Sequence, residues 1–281
     1  MVVTVIGLGL IGGSMALDLK ANDFANTVIG VDSNPKNQKI ALNLGIVDHI
    51  ENLKTAVKNS QLIIVSIPVN QSGKVIHEIL EYCNEQTILD VGSTKSKLAK
   101  QLEKHPKRSN YVATHPIAGT EFSGPKAAQK GLFKNKVTII CDKELSSKKA
   151  YDLTTSMYES LGMNFIFMSS KDHDVHSAYV SHISHISSFS LALSVMDKEK
   201  DEKNILNMAG SGFDSTVRLA KSNHNMWTPI FIENKKNISE VLDNYINQLK
   251  CFKEAIINEN ENELSSLIIE ANGIKKILEN K

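Results

Sequence analysis

Residues 2–12 read VVTVIGLGLIG, a run of β-branched residues followed at once by three glycines in the spacing Gly-x-Gly-x-x-Gly. The run is typical of a buried strand, and the residues after it are typical of a helix. In such a unit Gly7 permits a tight turn, Gly9 lets the backbone approach a pyrophosphate, and Gly12 lets the helix lie close to the strand. The stretch therefore predicts an α/β fold that begins with a dinucleotide-binding turn, in which the N–H groups of Leu10 and Ile11 face the phosphates.

The alternation of strand-like and helix-like segments continues to about residue 168. Candidate helices such as Lys36–Leu44 and Gly73–Tyr82 separate short runs rich in β-branched residues. This order predicts a mostly parallel, doubly wound sheet that is covered by helices on both faces. The candidate strands are Val2–Ile6, Thr27–Val31, Leu62–Ile67, Thr87–Val91, Tyr111–Thr114, Lys136–Cys141 and Asn164–Met168.

From about Asp172 onward the β-branched runs disappear, and apolar residues recur at helical spacing. We therefore assign residues 1–170 to the dinucleotide-binding domain and residues 171–281 to an all-helical domain. The helix predicted over His176–Met196 is apolar on most sides and carries small serines, which suits close packing in the interior or at a subunit contact. Long C-terminal helices with few turns favour a homodimer formed through the helical domain. The charged run Lys198–Lys203 is predicted to be a solvated loop.

Composition excludes several classes of protein. The chain of 281 residues has 32 Lys and Arg against 31 Asp and Glu, a net charge of +1, so neither nucleic acid nor an anionic membrane is predicted as a partner. No apolar stretch is long enough to span a bilayer, and the N-terminus lacks the basic region of a signal peptide. Cys83, Cys141 and Cys251 have neither metal-site nor disulfide spacing, and they favour the cytoplasm.

An acidic residue ends the second candidate strand. Asp32 lies 20 residues beyond Gly12, where a carboxylate accepts hydrogen bonds from the adenosine ribose. Because it repels a 2′-phosphate, it favours NAD over NADP, although the nearby base Lys36 weakens this preference. The alternative is a glycine-rich turn without a nucleotide.

Two further strand ends point to the same crevice, because parallel sheets bind ligands outside the carboxyl ends of their strands. Ser66 and Pro68 end the run from Leu62 and are predicted to line the dinucleotide cleft; the alternative is a strand that merely stops at proline. Ser93 and Lys95 follow the run from Thr87. Their alternative is a helix cap formed by Ser93 or Thr94.

A histidine follows another strand, in THPIAGTE at residues 114–121. A dehydrogenase that oxidises an alcohol needs a base for the hydroxyl proton, and histidine titrates near neutral pH. His115 is therefore the candidate base, with a structural histidine beside a Pro-Gly turn as the alternative.

Several blocks together resemble the prephenate/arogenate dehydrogenases, in order and through nearly the whole chain. These are GLGLIGGS at 7–14, DVGSTK at 90–95, HPIAGTEFSG at 115–124, SHISH at 181–185 and RLAKSNHNMW at 218–227. The resemblance implies a Rossmann domain followed by a helical dimerisation domain, with the substrate between them. It implies an NAD-dependent oxidative decarboxylation of prephenate or arogenate.

The resemblance also implies roles for individual residues. His115 would accept the proton of the ring 4-hydroxyl, and Ser93 would orient both His115 and that hydroxyl. Arg218 would pair with a substrate carboxylate, for which a planar guanidinium is well shaped. The remaining residues expected around the substrate are His182, His185, Thr120, Glu121 and Trp227.

The sequence departs from the family pattern at three places. Ser184 stands where a proline is frequent, so less helix bending is expected. The acid in GSGFDS at 210–215 is displaced by one position, which puts an inter-subunit ion pair in doubt, and NHN at 223–225 lacks a proline. None of these changes removes a residue with a proposed chemical role.

Alternatives remain at this point. The histidines at 173, 176, 182 and 185 have helical spacing, but no third-ligand pattern accompanies them, so no metal site is predicted. Trp227 alone suits a core position, and Arg218 alone suits an exposed one. Rival functions are an arogenate dehydrogenase, a related 3-hydroxyacid-type dehydrogenase with a lysine base, and a non-catalytic dinucleotide sensor.

Overall fold

The computed structural model describes residues 1–279, and its first part is built on one eight-stranded sheet. All neighbouring strands are parallel except β6 and β7, so the predicted, mostly parallel sheet is confirmed. The order across the sheet is β3-β2-β1-β4-β5-β6-β7-β8. The strands are β1 (Val2–Ile6), β2 (Thr27–Val31), β3 (His49–Ile50), β4 (Leu62–Val65), β5 (Thr87–Asp90), β6 (Tyr111–Pro116), β7 (Val137–Cys141) and β8 (Asn164–Met168).

Six helices accompany the strands and cover both faces of the sheet. Alternate residues of β4 enter different cores, because successive side chains of a strand point to opposite faces. Leu62 and Ile64 belong to one apolar cluster, and Ile63 and Val65 belong to the other. The helices are α1 (Leu10–Ala21), α2 (Pro35–Asn43), α3 (Leu53–Asn59), α4 (Val69–Tyr82), α5 (Ser96–Leu102) and α6 (Lys148–Ser160).

Strand ends differ slightly from the sequence prediction. β4 stops at Val65, two residues before the predicted end, and α4 follows with Pro68 at its N-cap. β3 was not predicted, because two residues are too few to show a period. β6 runs on to Pro116 because β7 pairs with it there, Pro116 opposite Thr138.

After β8 the described chain contains no further strand, which confirms the all-helical second half. The bounds are α7 (Ser170–Ser177), a π-helical turn (Ala178–His182), α8 (Ile183–Asp201), α9 (Ser211–Val217), a 3-10 turn (Arg218–Lys221), α10 (His224–Glu233) and α11 (Lys235–Ile257). None of the helices in residues 1–279 is both long and apolar enough to cross a membrane.

The prediction of a loop over Lys198–Lys203 is wrong for its first four residues, since α8 continues to Asp201. Lys198 pairs with Glu202 at 2.6 Å and Lys200 with Asp197 at 2.9 Å. Ion pairs at these spacings stabilise a helix, so alternating charge here extends α8.

By internal contacts the chain divides into two compact units, Met1–Lys235 and Lys236–Lys281. The second unit contains most of α11, then α12 (Glu261–Asn272) and α13 (Ile274–Glu279). Asn260 caps α12 by accepting a hydrogen bond from the N–H of Glu263. The domain boundary near residue 170 stays a prediction.

Candidate active site

The glycine turn between β1 and α1 is packed so closely that two of its positions exclude any side chain. Gly7 has a φ of +89°, and a Cβ there would lie 2.2 Å from the carbonyl oxygen of Ser66. A Cβ on Gly12 would lie 2.1 Å from the carbonyl oxygen of Gly7. Both clashes are with backbone, so only glycine permits this contact of the turn with the end of β4.

Gly9 has a different environment. It is the N-cap of α1, no side chain caps the helix, and a Cβ on Gly9 would have no heavy atom within 4 Å. The space that a side chain at Gly9 would fill is therefore open, and no side chain caps the first N–H groups of α1. A helix start of this kind attracts an anion, and this one has the form that a pyrophosphate requires.

Asp32 lies beside the same turn. Its carboxylate accepts hydrogen bonds from the N–H of Leu8 at 2.9 Å and from the N–H of Asn34 at 2.8 Å. The first bond attaches the end of β2 directly to the glycine turn, and it leaves the carboxylate partly exposed. Of the two residues predicted after β4, Ser66 lines the turn and Pro68 is exposed at the start of α4.

His115 occupies the penultimate position of β6 and is partly buried. Its Nδ1 lies 2.8 Å from Nε2 of His173, and the two rings meet edge to face at 64°. The Nδ1 of His173 in turn lies 2.9 Å from a carboxylate oxygen of Asp174. The result is a continuous chain of hydrogen bonds from a carboxylate through one imidazole to another.

Asp174 also forms the N-terminal cap of α5. Its two oxygens accept hydrogen bonds from the N–H groups of Lys95 and Ser96, each at 2.8 Å. The alternative of a cap by Ser93 or Thr94 is therefore wrong, because a residue nearly 80 positions later supplies it. This contact fixes the middle of α7 against the start of α5.

The expected position of Lys95 in an open crevice is also wrong. Its ammonium is completely buried and forms an ion pair with Asp90, which also accepts a hydrogen bond from the hydroxyl of Tyr111 at 2.5 Å. Ser93 is partly exposed and makes no hydrogen bond among the described residues. The bond that orients His115 comes from His173, so the role of Ser93 towards the substrate hydroxyl stays a prediction.

Burial and neighbouring positive groups keep the site histidines neutral. The pKa of His115 is lowered well below its usual value, chiefly by burial and then by His173, Lys95 and His182. The pKa of His173 is lowered by burial, although the contact with Asp174 opposes this. A neutral His115 is a proton acceptor at physiological pH.

A second group of predicted residues meets around one aromatic ring. The ring of His185 stacks on Trp227 with centroids 3.4 Å apart, and the ring of His182 meets Trp227 edge-on at 6.1 Å. His182 is 1% exposed and accepts a hydrogen bond at Nδ1 from Asn234 at 3.1 Å; burial lowers its pKa to about 4. Trp227 is buried, and its indole Nε1 has no hydrogen-bond partner within residues 1–279.

A third group lies at the surface. A guanidinium nitrogen of Arg218 is 3.9 Å from a carboxylate oxygen of Glu121, and Thr120 beside it is exposed. Burial is the main cause that lowers the pKa of His185, and Arg218 lowers it further; burial is also the main cause for His115, with His173, Lys95 and His182 adding to it. All predicted chemistry-bearing residues after β5 lie within the compact unit Met1–Lys235.

Sequence reasoning missed the partner pair His173 and Asp174. Strand register explains their position: Met168 pairs with Cys141, Cys141 with Ala113, and Ala113 with Asp90. The end of β8 is therefore level with the end of β5, and α7 starts beside the site. The only sequence signal was an adjacent His-Asp in the first turns of a helix.

Models of two domains of one protein family match consecutive parts of the chain. Residues 15–167 match the family model "Prephenate dehydrogenase, nucleotide-binding domain", and residues 169–270 match "Prephenate dehydrogenase, dimerization domain". A prephenate dehydrogenase of Bacillus subtilis is 30% identical over 262 residues, which are 92% of this chain and 71% of the relative.

Two solved structures share the fold over 99% of this chain. One is prephenate dehydrogenase from Aquifex aeolicus in complex with hydroxyphenyl propionate and NAD+, with 97% of that chain covered, a TM-score of 0.90 and 30% identity. The other is arogenate dehydrogenase from Synechocystis, with 100% of that chain covered, a TM-score of 0.80 and 25% identity.

Proposed function

Because this chain belongs to the prephenate dehydrogenase family, we propose that it catalyses the NAD-dependent oxidative decarboxylation of prephenate to 4-hydroxyphenylpyruvate, a step of tyrosine biosynthesis. Membership of the family makes it an oxidoreductase. The observation that carries the proposal is the neutral, partly buried imidazole of His115 at the end of β6.

The residues of the glycine turn fit NAD. Gly7 and Gly12 keep the turn tight, and the open space at Gly9 would admit the pyrophosphate in front of the N–H groups of Leu10 and Ile11. The Asp32 carboxylate would accept hydrogen bonds from the ribose hydroxyls and repel a 2′-phosphate, while Ser66 and Pro68 would line the cleft. When bound, NAD supplies the acceptor for the hydride that leaves C4 of the substrate.

His115 would take the proton of the C4 hydroxyl at its Nε2, with Ser93 orienting the hydroxyl. As the hydroxyl carbon becomes a carbonyl, the ring carboxylate leaves as carbon dioxide, and its bonding electrons make the ring aromatic. Aromatisation makes the sequence of steps effectively irreversible. A base of this kind contributes about 10²- to 10⁴-fold in rate.

The remaining residues would hold the substrate. Arg218 would bind a carboxylate as a forked donor, which is the geometry that guanidinium offers. The stacked pair of His185 and Trp227 offers a flat wall for a six-membered ring. The proposed substrate residues are Arg218, His182, His185, Thr120, Glu121 and Trp227.

The family match supports a homodimer formed through the helical half, since residues 169–270 match a dimerization domain. Apolar side chains of α8 are open to solvent in the single chain, with Leu193 66% and Met196 57% exposed. We also propose a cytoplasmic location, which fits three cysteines that carry free thiols.

Arogenate is the second candidate substrate, and the similarity to the Synechocystis arogenate dehydrogenase favours it. The two substrates differ only by a keto or an amino group on the side chain. A single assay decides: each substrate is offered with NAD and with NADP, and formation of the reduced nicotinamide is followed by its absorbance. We expect the highest kcat/KM with prephenate and NAD.

His115→Asn is the matched variant for this assay, because it keeps a polar side chain and removes the base. It should abolish turnover while nucleotide binding, measured by calorimetry, persists. Absence of activity with either substrate in folded wild-type protein would reject the enzyme and favour a dinucleotide sensor.

A further inference from the structure

We propose that Asp174 and His173 are positioning residues that fix the tautomer of His115, so that its proton stays on Nδ1 and its Nε2 is free to accept the proton of the substrate. The inference rests on the proposed function of His115 as the base. It adds what selects the reactive nitrogen, which is decided by hydrogen bonds within this chain.

The carboxylate of Asp174 determines which nitrogen of His173 carries the proton, which is the first step of the inference. An ionised Asp174 can only accept hydrogen bonds, and it is 3% exposed. Its pKa is lowered: burial raises it, but the hydrogen bond from His173 and those from the N–H groups of Ser96 and Lys95 outweigh that effect. The Nδ1 of His173, 2.9 Å away, must therefore carry a proton and donate it.

The second step follows from the neutrality of His173. A neutral imidazole carries one proton, so His173 with a proton on Nδ1 has a lone pair on Nε2. Complete burial of its ring disfavours a second proton. The contact of 2.8 Å between Nε2 of His173 and Nδ1 of His115 is then a hydrogen bond in which His115 donates.

The third step is the consequence for His115. With its single proton on Nδ1, the lone pair lies on Nε2. When the substrate hydroxyl gives its proton to Nε2, the ring becomes an imidazolium, and both protons remain on it. The Nδ1–H bond to His173 then becomes charge-assisted and stronger, and the negative charge of Asp174 stabilises the cation through the intervening ring.

A purely structural role for the pair has to be distinguished from a role in positioning His115. Asp174 also caps α5, so its removal would disturb the fold in any case. His173 is the better position to test, because it touches His115 directly and caps nothing. His173→Leu removes the acceptor, whereas His173→Gln keeps one, since its amide reaches the place of Nε2.

The test combines steady-state kinetics with a direct measurement of the tautomer of His115. We expect His173→Leu to lower kcat by about 100-fold, within the range of a lost general base, and His173→Gln to recover at least about 10-fold of that loss. KM and NAD affinity should change by less than about 3-fold. His176→Leu, an exposed histidine of the same helix, is the control and should keep wild-type kcat.

Nitrogen-15 NMR of histidine-labelled, substrate-free protein reads the tautomer without any turnover. We expect His115 to be protonated on Nδ1 in the wild type and in His173→Gln, and to populate the Nε2-protonated form in His173→Leu. A wild-type His115 protonated on Nε2 overturns the inference, and so does a Leu variant with unchanged kcat or a Gln variant no better than Leu. Failure of the proposed function would show instead as an inactive wild type with the tautomer as stated.

Discussion

The guanidinium of Arg218 lies 3.9 Å from the carboxylate of Glu121, on the loop that follows β6, and 54% of the arginine side chain is exposed. An exposed ion pair at this limiting distance contributes little to stability. Most donors of the guanidinium are therefore available to a second carboxylate. The relationship places the cation of Arg218 beside the loop that follows β6, the strand of His115.

We expect Arg218→Gln to raise KM for prephenate by about 10- to 100-fold with kcat little changed, because a charge-assisted hydrogen bond is worth about 1.5–3 kcal/mol. Steady-state kinetics measure both constants. Lys221→Gln removes a charge from the same 3-10 turn and serves as the control, with KM expected to stay at the wild-type value. An unchanged KM in Arg218→Gln would remove this residue from the substrate pocket.

The pH dependence of the reaction should reflect the environment of His115. Burial, His173, Lys95 and His182 lower its pKa well below the ordinary value of about 6.5. The base is active when unprotonated, so kcat/KM should be flat around neutral pH and fall only as the pH drops through that lowered pKa. If kcat/KM is half-maximal at or above pH 6.5, the base is not a histidine whose pKa is lowered by its surroundings.

Most of the fold was predictable because each long strand coincides with one run in the sequence that is rich in β-branched residues. β1, β2 and β8 have the predicted bounds. β3 was not predicted because His49–Ile50 is too short to show the residue pattern of a strand. The extension of α8 to Asp201 was not predicted because a run of mixed charge is typical of a loop, although the same charges can form ion pairs along a helix.

The site was predictable only where a residue type and a strand end coincide. His115 satisfied both conditions. His173 did not, because its position depends on the register of β6, β7 and β8, and strand register between distant segments is not visible in one sequence. The same limit explains why the alternative considered for this strand end was a cap by Ser93 or Thr94 and not one by Asp174.

Selection between NAD and NADP should depend on the charge of Asp32. In Asp32→Asn the side chain keeps an oxygen that can accept the N–H of Leu8, so the turn should survive while the repulsion of a 2′-phosphate is lost. We expect the ratio of kcat/KM for NAD over NADP to fall by about 10-fold or more. Glu51→Gln, an acid after the neighbouring strand β3, is the matched control. An unchanged ratio in Asp32→Asn would contradict the ribose assignment.

The buried His182 should make the fold sensitive to acid. Its pKa of about 4 is below the value of about 6.5 expected for the unfolded chain, so between these values the unfolded state binds more protons. The free energy of unfolding should fall as pH decreases through this window, with about 3 kcal/mol from this residue. Urea titrations of the wild type and of His182→Gln should show a shallower decline in the variant; equal slopes would mean that His182 is not the responsible group.

Substitutions at Gly7 and Gly9, two of the three glycines of the turn, should separate folding from dinucleotide binding. Gly7→Ala forces a side chain onto a φ of +89° and against the carbonyl of Ser66, so we expect a loss of several kcal/mol of stability. Gly9→Ala meets no heavy atom within 4 Å and should cost at most about 1 kcal/mol as an N-cap change. Its methyl group, however, would stand at the N-terminus of α1, where we propose that the pyrophosphate approaches the backbone.

We therefore expect Gly9→Ala to keep its melting temperature within a few degrees while the Kd for NAD, measured by calorimetry, rises by about 10-fold or more. Gly210→Ala is the control, because Gly210 is also an N-cap with open space around its Cβ but lies at the start of α9. It should match Gly9→Ala in stability and the wild type in affinity. A Gly9→Ala protein with wild-type affinity would show that the pyrophosphate does not approach the backbone there, since no other property of that position resists a methyl group.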